Sequence, residues 1–251
     1  IMNQNEVIKA MTFELEKYIP FNKDEINFDF GILKKNKNTG KMLVLIAAAK
    51  KELVDIRMGL CQSLGFRPSF IDVCPLAAAN YFEFMKEMKD KEVCAVVNLG
   101  ASISSVGIIE DGQLVLSRDI FIGGNDFTKK LAEFLNKTFE EAEGVKLNSL
   151  DDNMVQYLEP VYNNLVKELK VSFDFYETQA NRLIDRIVIT GGAALLKGVK
   201  EAFKHSLGQE VEVTAFKPGA FDLSKSLNAE EFAKNFNFYT IALGMALRDF
   251  K

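Results

Sequence analysis

Between residues 93 and 126 the chain reads VCAVVNLGASISSVGIIEDGQLVLSRDIFIGGND, with apolar, β-branched runs at 93–97, 103–109 and 114–122. Asn-Leu-Gly-Ala-Ser and Glu-Asp-Gly separate them, so the pattern predicts a three-stranded antiparallel meander. Asp111-Gly112 suits a tight hairpin, because the second central residue of a primed turn takes a positive φ that glycine tolerates. The period then lengthens. Residues 125–138 predict a helix capped by Asn125, and 140–146 a short helix with Gly144 as a candidate break. Residues 153–181 carry the longest helical stripe, through Met154, Leu158, Val161, Leu165, Leu169, Phe173 and Tyr176. An apolar strand at 186–190 leads into a helical pattern at Leu195, Leu196, Val199, Phe203 and Leu207. A short strand at 211–214, a Lys217-Pro218-Gly219 loop and closing helices from 229 and over 238–250 complete this part.

The first ninety residues use a different rhythm. A helix over 5–18 carries Val7, Ile8, Met11, Leu15 and Tyr18 on one face and ends before Pro20. Residues 26–33 alternate as a strand and hairpin through 36–40 into 42–48, whose nearly continuous apolar character predicts a central strand. A helix over 50–64 closed by Gly65, a strand over 66–73 and a helix over 75–88 with proline in its first turn follow. Cys74-Pro75 reads either as a plain helix start or as a turn of special geometry. Strands interspersed with helices predict α/β layering.

Composition narrows the function classes. At 251 residues and 48% hydrophobic content the chain can bury one large or two smaller cores. A net charge of −4 with interspersed signs leaves no nucleic-acid footprint. The densest cationic cluster, Lys34, Lys35, Lys37 and Lys41 around Asn38-Thr39-Gly40, reads as a solvated hairpin tip. No apolar run approaches the ~20 residues that span a bilayer. The three cysteines, 61, 74 and 94, lack metal-type spacing and point to a reducing compartment; each is expected to be a small buried hydrophobe. The single histidine, His205, sits between Lys204 and Ser206 as a surface residue, so Ser-His and Cys-His catalysis have little to work with.

Two glycine turns carry the remaining chemistry. Around residues 98–102, small side chains and successive backbone N–H groups form either a plain turn or a concave anion site that holds a phosphate. Thr190-Gly191-Gly192-Ala193-Ala194 follows a strand and precedes a helical pattern. There the missing Cβ atoms let a flat base or a phosphate lie against backbone, and a helix N-terminus adds partial positive charge.

The order of these parts, meander, Gly123-Gly124 before a helix, long helix, strand, glycine pair, resembles the second half of the actin-like ATPase superfamily. Within it the chain is most similar to the PilM family of type IV pilus assembly proteins. The match is carried by Glu16-Lys17-Tyr18-Ile19-Pro20-Phe21, Leu45-Ile46-Ala47-Ala48-Ala49-Lys50, Gly65-Phe66 with Ile71-Asp72-Val73, the VNLGAS turn, Gly123-Gly124-Asn125, Ile189-Thr190-Gly191-Gly192-Ala193 and Ala242-Leu243-Gly244-Met245-Ala246-Leu247-Arg248.

The resemblance implies an actin-like, ribonuclease H-like α/β fold of mixed sheets covered by helices. Residues 1–90 would form the small inserted subdomain and return helix of the first half, and 91–251 the second half. ATP would lie in a cleft: Asn98, Gly100, Ala101 and Ser102 on the β- and γ-phosphates, Gly123 and Gly124 flanking the ribose, and Gly191, Gly192 and Ala193 with Leu196 backing the adenine. Lys167 and Glu168 fall where the superfamily puts polar contacts to the ribose, or else form a solvent-facing charge pair. The family usually has an aspartate in place of Asn98; an amide holds magnesium poorly, so ATP binding with weak or no hydrolysis is expected. The acidic first hairpin of the family has no counterpart, and roughly the first hundred residues of a family member, a whole subdomain, would precede the opening helix.

The implied function is a cytoplasmic scaffold of the inner-membrane pilus platform. It would dock the cytoplasmic N-terminal tail of a PilN-like membrane protein as an extended peptide, in a groove between the family's first subdomain and the small one at about residues 16–75, which supplies one wall, and reach the membrane only through that partner. Self-association stays open. The alternatives are a small-molecule kinase, for which Asn98 supplies no carboxylate, and an FtsA-like filament former, whose amphipathic membrane tether has no equivalent after Arg248-Asp249-Phe250-Lys251.

Overall fold

The structure is a computed structural model that describes residues 2–35, 40–85, 87–224 and 227–250. Chain contacts divide it into two compact units, Ile1–Val73 and Cys74–Lys251.

The first unit opens with α1 (Gln4–Tyr18), whose start is fixed by a capping box. The Asn3 side chain accepts from Glu6 N at 3.0 Å, and Glu6 accepts from Asn3 N at 2.7 Å. Val7 and Leu15 of its apolar stripe are buried, whereas Ile8 and Tyr18 are exposed. Strands β1 (Ile26–Lys35) and β2 (Met42–Lys50) pair antiparallel, from Ile26 opposite Lys50 to Lys35 opposite Met42. The expected hairpin tip at 36–40 lies outside the described residues except for Gly40. Helix α2 (Lys51–Ser63) follows, closed beyond Leu64 by Gly65 at φ 79°.

Two expectations fail in this unit. β2 is not central: its sheet has two strands, and among the described residues it pairs with β1 alone. Its apolar run is half-buried, with Leu43 exposed, because a continuous apolar strand reads the same whether neighbouring strands or only a groove covers it. Residues 66–73 form no ladder and run as irregular chain. Their β-rich composition met no partner strand, and Pro68 offers no N–H.

The second unit is built on a five-stranded sheet of order β5-β4-β3-β6-β7. Strands β3 (Val93–Leu99), β4 (Ser104–Glu110) and β5 (Gln113–Ile120) form the predicted antiparallel meander. Asp111 and Gly112 turn its second hairpin at φ 52° and 77°. β6 (Arg186–Thr190) runs parallel to β3, and β7 (Glu210–Val213) parallel to β6.

Val93, Ala95, Val97 and Leu99 alternate onto one face of β3, as period-2 burial requires, and join the main core with Phe127, Leu131, Leu165, Leu169 and Phe203. These come from α4 (Gly124–Leu135), α7 (Glu159–Ala180) and α8 (Val199–Leu207). Gly107, pointing opposite to Val106 and Ile108, faces α3 (Cys74–Phe84): a Cβ there would lie 3.1 Å from the Pro75 Cβ. Helices therefore cover both sides of the sheet, and α3 belongs by its contacts to this second unit. The shorter helices are α5 (Phe139–Asn148), α6 (Asp152–Tyr157), α9 (Ala229–Lys234) and α10 (Thr240–Ala246).

Local corrections have local causes. Gly144 does not break α5. The long stripe is interrupted at Leu158, and α7 restarts with Pro160 in its first turn, where no N–H is needed. The cap of α4 is Gly123, not Asn125. Of the cysteines only Cys94 is buried; Cys61 is half-buried and Cys74 exposed.

Candidate functional site

β3 and β6 lie side by side and parallel, yet the chain leaves them in opposite directions across the sheet, β3 toward β4 and β6 toward β7. Such a switch leaves a crevice outside the carboxyl ends of the two strands, where ligands of open α/β sheets bind. The residues at those ends are Asn98 and Leu99 on β3 and Thr190, with Gly191 next, on β6.

The two turns meet there. Gly191 adopts φ 88°, and a Cβ at this position would stand 2.5 Å from the Leu99 carbonyl oxygen and 2.6 Å from Asn98 Oδ1. Glycine is thus required by conformation and by space. A Cβ on Gly123 would lie 2.6 Å from the Ala101 oxygen, and one on Gly124 only 3.5 Å from the Ala193 Cβ. The hairpin between β3 and β4, the start of α4 and the Gly191 turn therefore converge on one place.

Hydrogen bonds lock them. Gly124 N and Asn125 N donate to the Gly100 and Ala101 oxygens at 2.9 and 2.7 Å, and the Asn125 amide donates to Ser102 Oγ at 3.0 Å. Gly123 N donates to Asp126 Oδ2 at 2.9 Å. The N-terminal amides of α4 are consequently spent on the hairpin. The amides of Ala101 and Ser102, in contrast, find no protein acceptor among the described residues and lie on exposed positions, which is the donor pattern of an anion nest.

One expectation is modified here. No α-helix starts at the glycine pair: Gly192–Leu195 is a single three-ten turn, and α8 begins only at Val199. Any positive potential at Gly191 and Gly192 comes from local N–H groups rather than from a full helix. Leu196 is 9% exposed and belongs to the core beneath the turn.

Lys167 and Glu168 are not drawn to these turns by any side-chain bond. Lys167 is exposed, and the Glu168 carboxylate accepts from Arg118 on β5 at 2.6 Å. A different pair takes the neighbouring position. Lys146, its side chain 9% exposed, donates to the Gly124 oxygen at 3.0 Å and to Thr128 Oγ1 at 2.7 Å, and bridges Glu143 at 2.7 Å. Thr128 hydrogen-bonds the same carboxylate. Burial pushes the Glu143 carboxyl up, but the bonds from Lys146 and Thr128 outweigh it and hold it below the usual range. The sequence signal for this pair was Glu-x-x-Lys on α5, hidden because i, i+3 charge pairs are common on exposed helices.

Donor chemistry separates the groups the turns could hold. The open amides of Ala101 and Ser102 fit an anion such as a phosphate, whereas the missing Cβ atoms of Gly100, Gly123, Gly191 and Gly192 make room for the protein's own carbonyls and the Phe238 ring. Magnesium fits less well: Asn98 offers an amide oxygen where a carboxylate is needed, Asp126 is engaged in capping, and among the described residues no three acidic, histidine or cysteine side chains cluster as a metal site.

Among solved structures, a PilM–PilN type IV pilus biogenesis complex is matched over 100% of this chain and 74% of that chain, with a TM-score of 0.86 and 26% identity. MreB5 of Spiroplasma citri bound to AMPPNP aligns over 79% of this chain and 64% of its own at a TM-score of 0.56 and 12% identity, a likeness of fold. The cell division protein FtsA of Staphylococcus epidermidis is 25% identical over 170 residues, covering 57% of this chain and 37% of FtsA. The chain thus spans little more than a third of that relative. The family model for type IV pilus assembly protein PilM matches residues 1–250. With an actin-like fold and a match along almost its whole length, the chain belongs to the PilM family of type IV pilus assembly proteins.

Proposed function

We propose that the protein is an ATP-binding, actin-like scaffold of the type IV pilus inner-membrane platform, which docks the cytoplasmic N-terminal tail of a PilN-like membrane protein. Family membership supports the platform role. The convergence of three glycine turns at the carboxyl ends of β3 and β6 is the observation that carries nucleotide binding.

In this reading Asn98, Gly100, Ala101 and Ser102 receive the β- and γ-phosphates, with the open Ala101 and Ser102 amides as donors. Gly123 and Gly124 flank the ribose. Gly191, Gly192 and Ala193, backed by Leu196, take the adenine. Lys146 and Glu143 serve the ribose side in preference to Lys167 and Glu168, since Lys146 is bonded to the Gly124 oxygen and is held there by Glu143. When bound, magnesium would neutralise phosphate charge; Asn98 supplies no carboxylate to orient it, so nucleotide acts as a structural ligand and turnover is weak or nil.

The partner tail would lie in the first unit. Phe28, Ala47, Ala48, Ala49, Val54 and Ile71 line an apolar groove of about 350 Å³ there. An extended peptide can occupy it through backbone bonds and side-chain pockets. No helix among the described residues is long and apolar enough to cross a membrane, which accords with attachment to the inner membrane through the partner.

Calorimetry of ATP, with and without magnesium, on the intact protein tests the nucleotide half, with a Gly191→Asp/Gly192→Asp double variant as control. Binding by the native protein and its loss in a folded variant are expected. An Asn98→Asp variant should make binding more magnesium-dependent and raise hydrolysis; native binding absent at millimolar ATP would sink the reading. For the partner half, a synthetic PilN-like tail should bind the native protein, and Ala48→Arg should abolish that binding without affecting ATP.

A further inference from the structure

One lysine cluster takes no part in the glycine turns and does not line the apolar groove. Residues 26–50, the β1–β2 hairpin, carry Lys34, Lys35, Lys37, Lys41 and Lys50 against a single acid, Asp29. That is a net charge of +4 in a chain whose total is −4, so the remainder is net −8. Lys37 lies outside the described residues; Lys34, Lys35 and Lys41 occupy exposed positions at one end of the ladder. Apolar side chains stand among them. Lys34 is opposite Leu43 and Lys35 opposite Met42, with a bulge between Ile32 and Lys34. Cross-strand partners share a face, and so do residues two apart, so Lys34, Leu43 and Leu45 line one face together. Leu43 is 45% exposed, and Gly31, opposite Leu45, has nothing within 4 Å of its Cβ direction. Met42 is already engaged, its Sδ accepting from Met2 N at 3.2 Å.

We propose that this end of the hairpin, Lys34, Lys35 and Lys41 around Leu43, is a contact site for anionic lipid headgroups. The inference takes from the platform reading above only the nearness of the inner membrane; attachment stays with the partner, and the lysines add a second contact. A bilayer surface suits this mixture: the ammonium groups meet headgroup phosphates while the lysine stems and the leucine bury apolar surface at the acyl boundary. Segregation of charge gives the contact a direction, because an anionic surface attracts the hairpin and repels the acidic remainder of the chain. Lysines on a strand also guard a sheet edge against pairing, but glutamates guard an edge equally well, whereas attraction to headgroups changes sign with the charge. Each lysine near such a surface is worth about fivefold in partitioning, and three about a hundredfold. The contact is weak alone and gains effect when a partner tail holds the protein at the bilayer, through local concentration.

Sedimentation of the intact protein with vesicles of phosphatidylglycerol and phosphatidylethanolamine, and with vesicles of phosphatidylcholine, tests this. Expected are binding to the anionic vesicles at about 0.1 M salt, its loss at about 0.5 M, and none to the neutral ones. A Lys34→Glu/Lys35→Glu/Lys41→Glu variant should bind about a hundredfold more weakly, the corresponding triple arginine variant like the native protein, and Leu43→Ser several-fold more weakly. Thermal unfolding of the glutamate variant within a few degrees of native shows that its fold is intact. Native protein that ignores anionic vesicles overturns the proposal, as does a glutamate variant that binds them as the native protein does. Capture of soluble polyglutamate without capture of vesicles also overturns it, in favour of an acidic protein segment. Calorimetry of a PilN-like tail on the same samples keeps the two readings apart: vesicle binding without tail binding upholds the lipid contact and removes the docking half of the platform reading.

Discussion

Glycine chemistry at the site depends on position, and substitutions separate the cases. At Gly191 the positive φ and the 2.5 Å approach to the Leu99 oxygen leave no room for a methyl group. Gly191→Ala should cost about 1–3 kcal/mol in urea unfolding. Gly144 sits inside α5 with nothing within 4 Å of its Cβ direction, so Gly144→Ala should stabilise by roughly 0.5–1 kcal/mol. Equal effects of the two changes would contradict this account. At the other end of the sheet, Arg186 binds Glu92 through two 3.0 Å bonds and Glu212 through one of 2.8 Å. Burial pushes the Glu92 carboxyl up, but the hydrogen bonds from Arg186 and the Lys89 backbone outweigh it and leave it below its usual 4.5. A carboxyl lowered on folding contributes stability that is present above its ordinary range and lost as pH falls through the folded value. Stability should therefore decline below about pH 4.5. Glu92→Gln should flatten that decline and, leaving the buried guanidinium with Glu212 and the Glu87 oxygen as partners, cost about 1–3 kcal/mol at pH 7. Cys94, on the adjoining strand, is pushed up to about 12, with burial the largest cause. Thiol reagents at neutral pH should label exposed Cys74 well before Cys94, as mass spectrometry of a time course would record.

Elements constrain the site through their crossings more than through their own propensities. Helices α3 and α10 touch so closely at Gly244 that a Cβ there would come within 1.8 Å of the Ala77 oxygen. The crossing carries consequences for the turn, because Thr240, at the start of α10, bonds Thr190 immediately before Gly191. Gly244→Ala should push α10 away from α3, cost about 3 kcal/mol or more as overpacking against backbone, and weaken ATP binding without touching a nucleotide-facing residue. Retention of native stability in this variant would show that the crossing has slack. The same principle explains α4: its first amides bind the Gly100 and Ala101 oxygens, so the helix orders the hairpin between β3 and β4 and its first two amides are not free.

At the scale of the whole molecule the two units differ in how much apolar surface they bury. In the first, Val7, Leu15 and Ile26 are the fully buried hydrophobic side chains among the described residues, while Leu53, Ile56, Leu60 and Leu64 form an exposed stripe along α2 and just past it. The second holds one continuous core around β3 and β6. Local opening free energy follows buried contact, so hydrogen exchange should be fast for β1 and β2 and slowest for β3 and β6. Matching protection in both units would refute this. Binding of a PilN-like tail in the groove of the first unit should slow exchange at residues 26–35 and 42–50 by mass action.

Residue patterns alone determined a good deal. The strands of the meander, the Asp111-Gly112 turn, the strand at 186–190 and the two glycine turns are local: they depend on period-2 burial and on φ angles that only certain residues accept, and each is readable within ten residues. Order along the chain then indicated the family. What sequence could not decide was everything set by partners distant in the chain. β2 and residues 66–73 have strand composition, but whether a strand is central, at an edge or unpaired depends on which backbone lies beside it. Asn125 looks like a cap by residue type, yet the Gly100 and Ala101 carbonyls took its place in the geometry. Lys146 and Glu143 looked like an ordinary helix-surface pair until the fold set them on Gly124, and Phe238, 46 residues beyond Gly192, reached the glycine turn only because Thr240 and Asn237 tie the end of the chain to β6. Backbone preferences are local and therefore legible; burial and close approach are long-range, and only the tertiary structure supplies them.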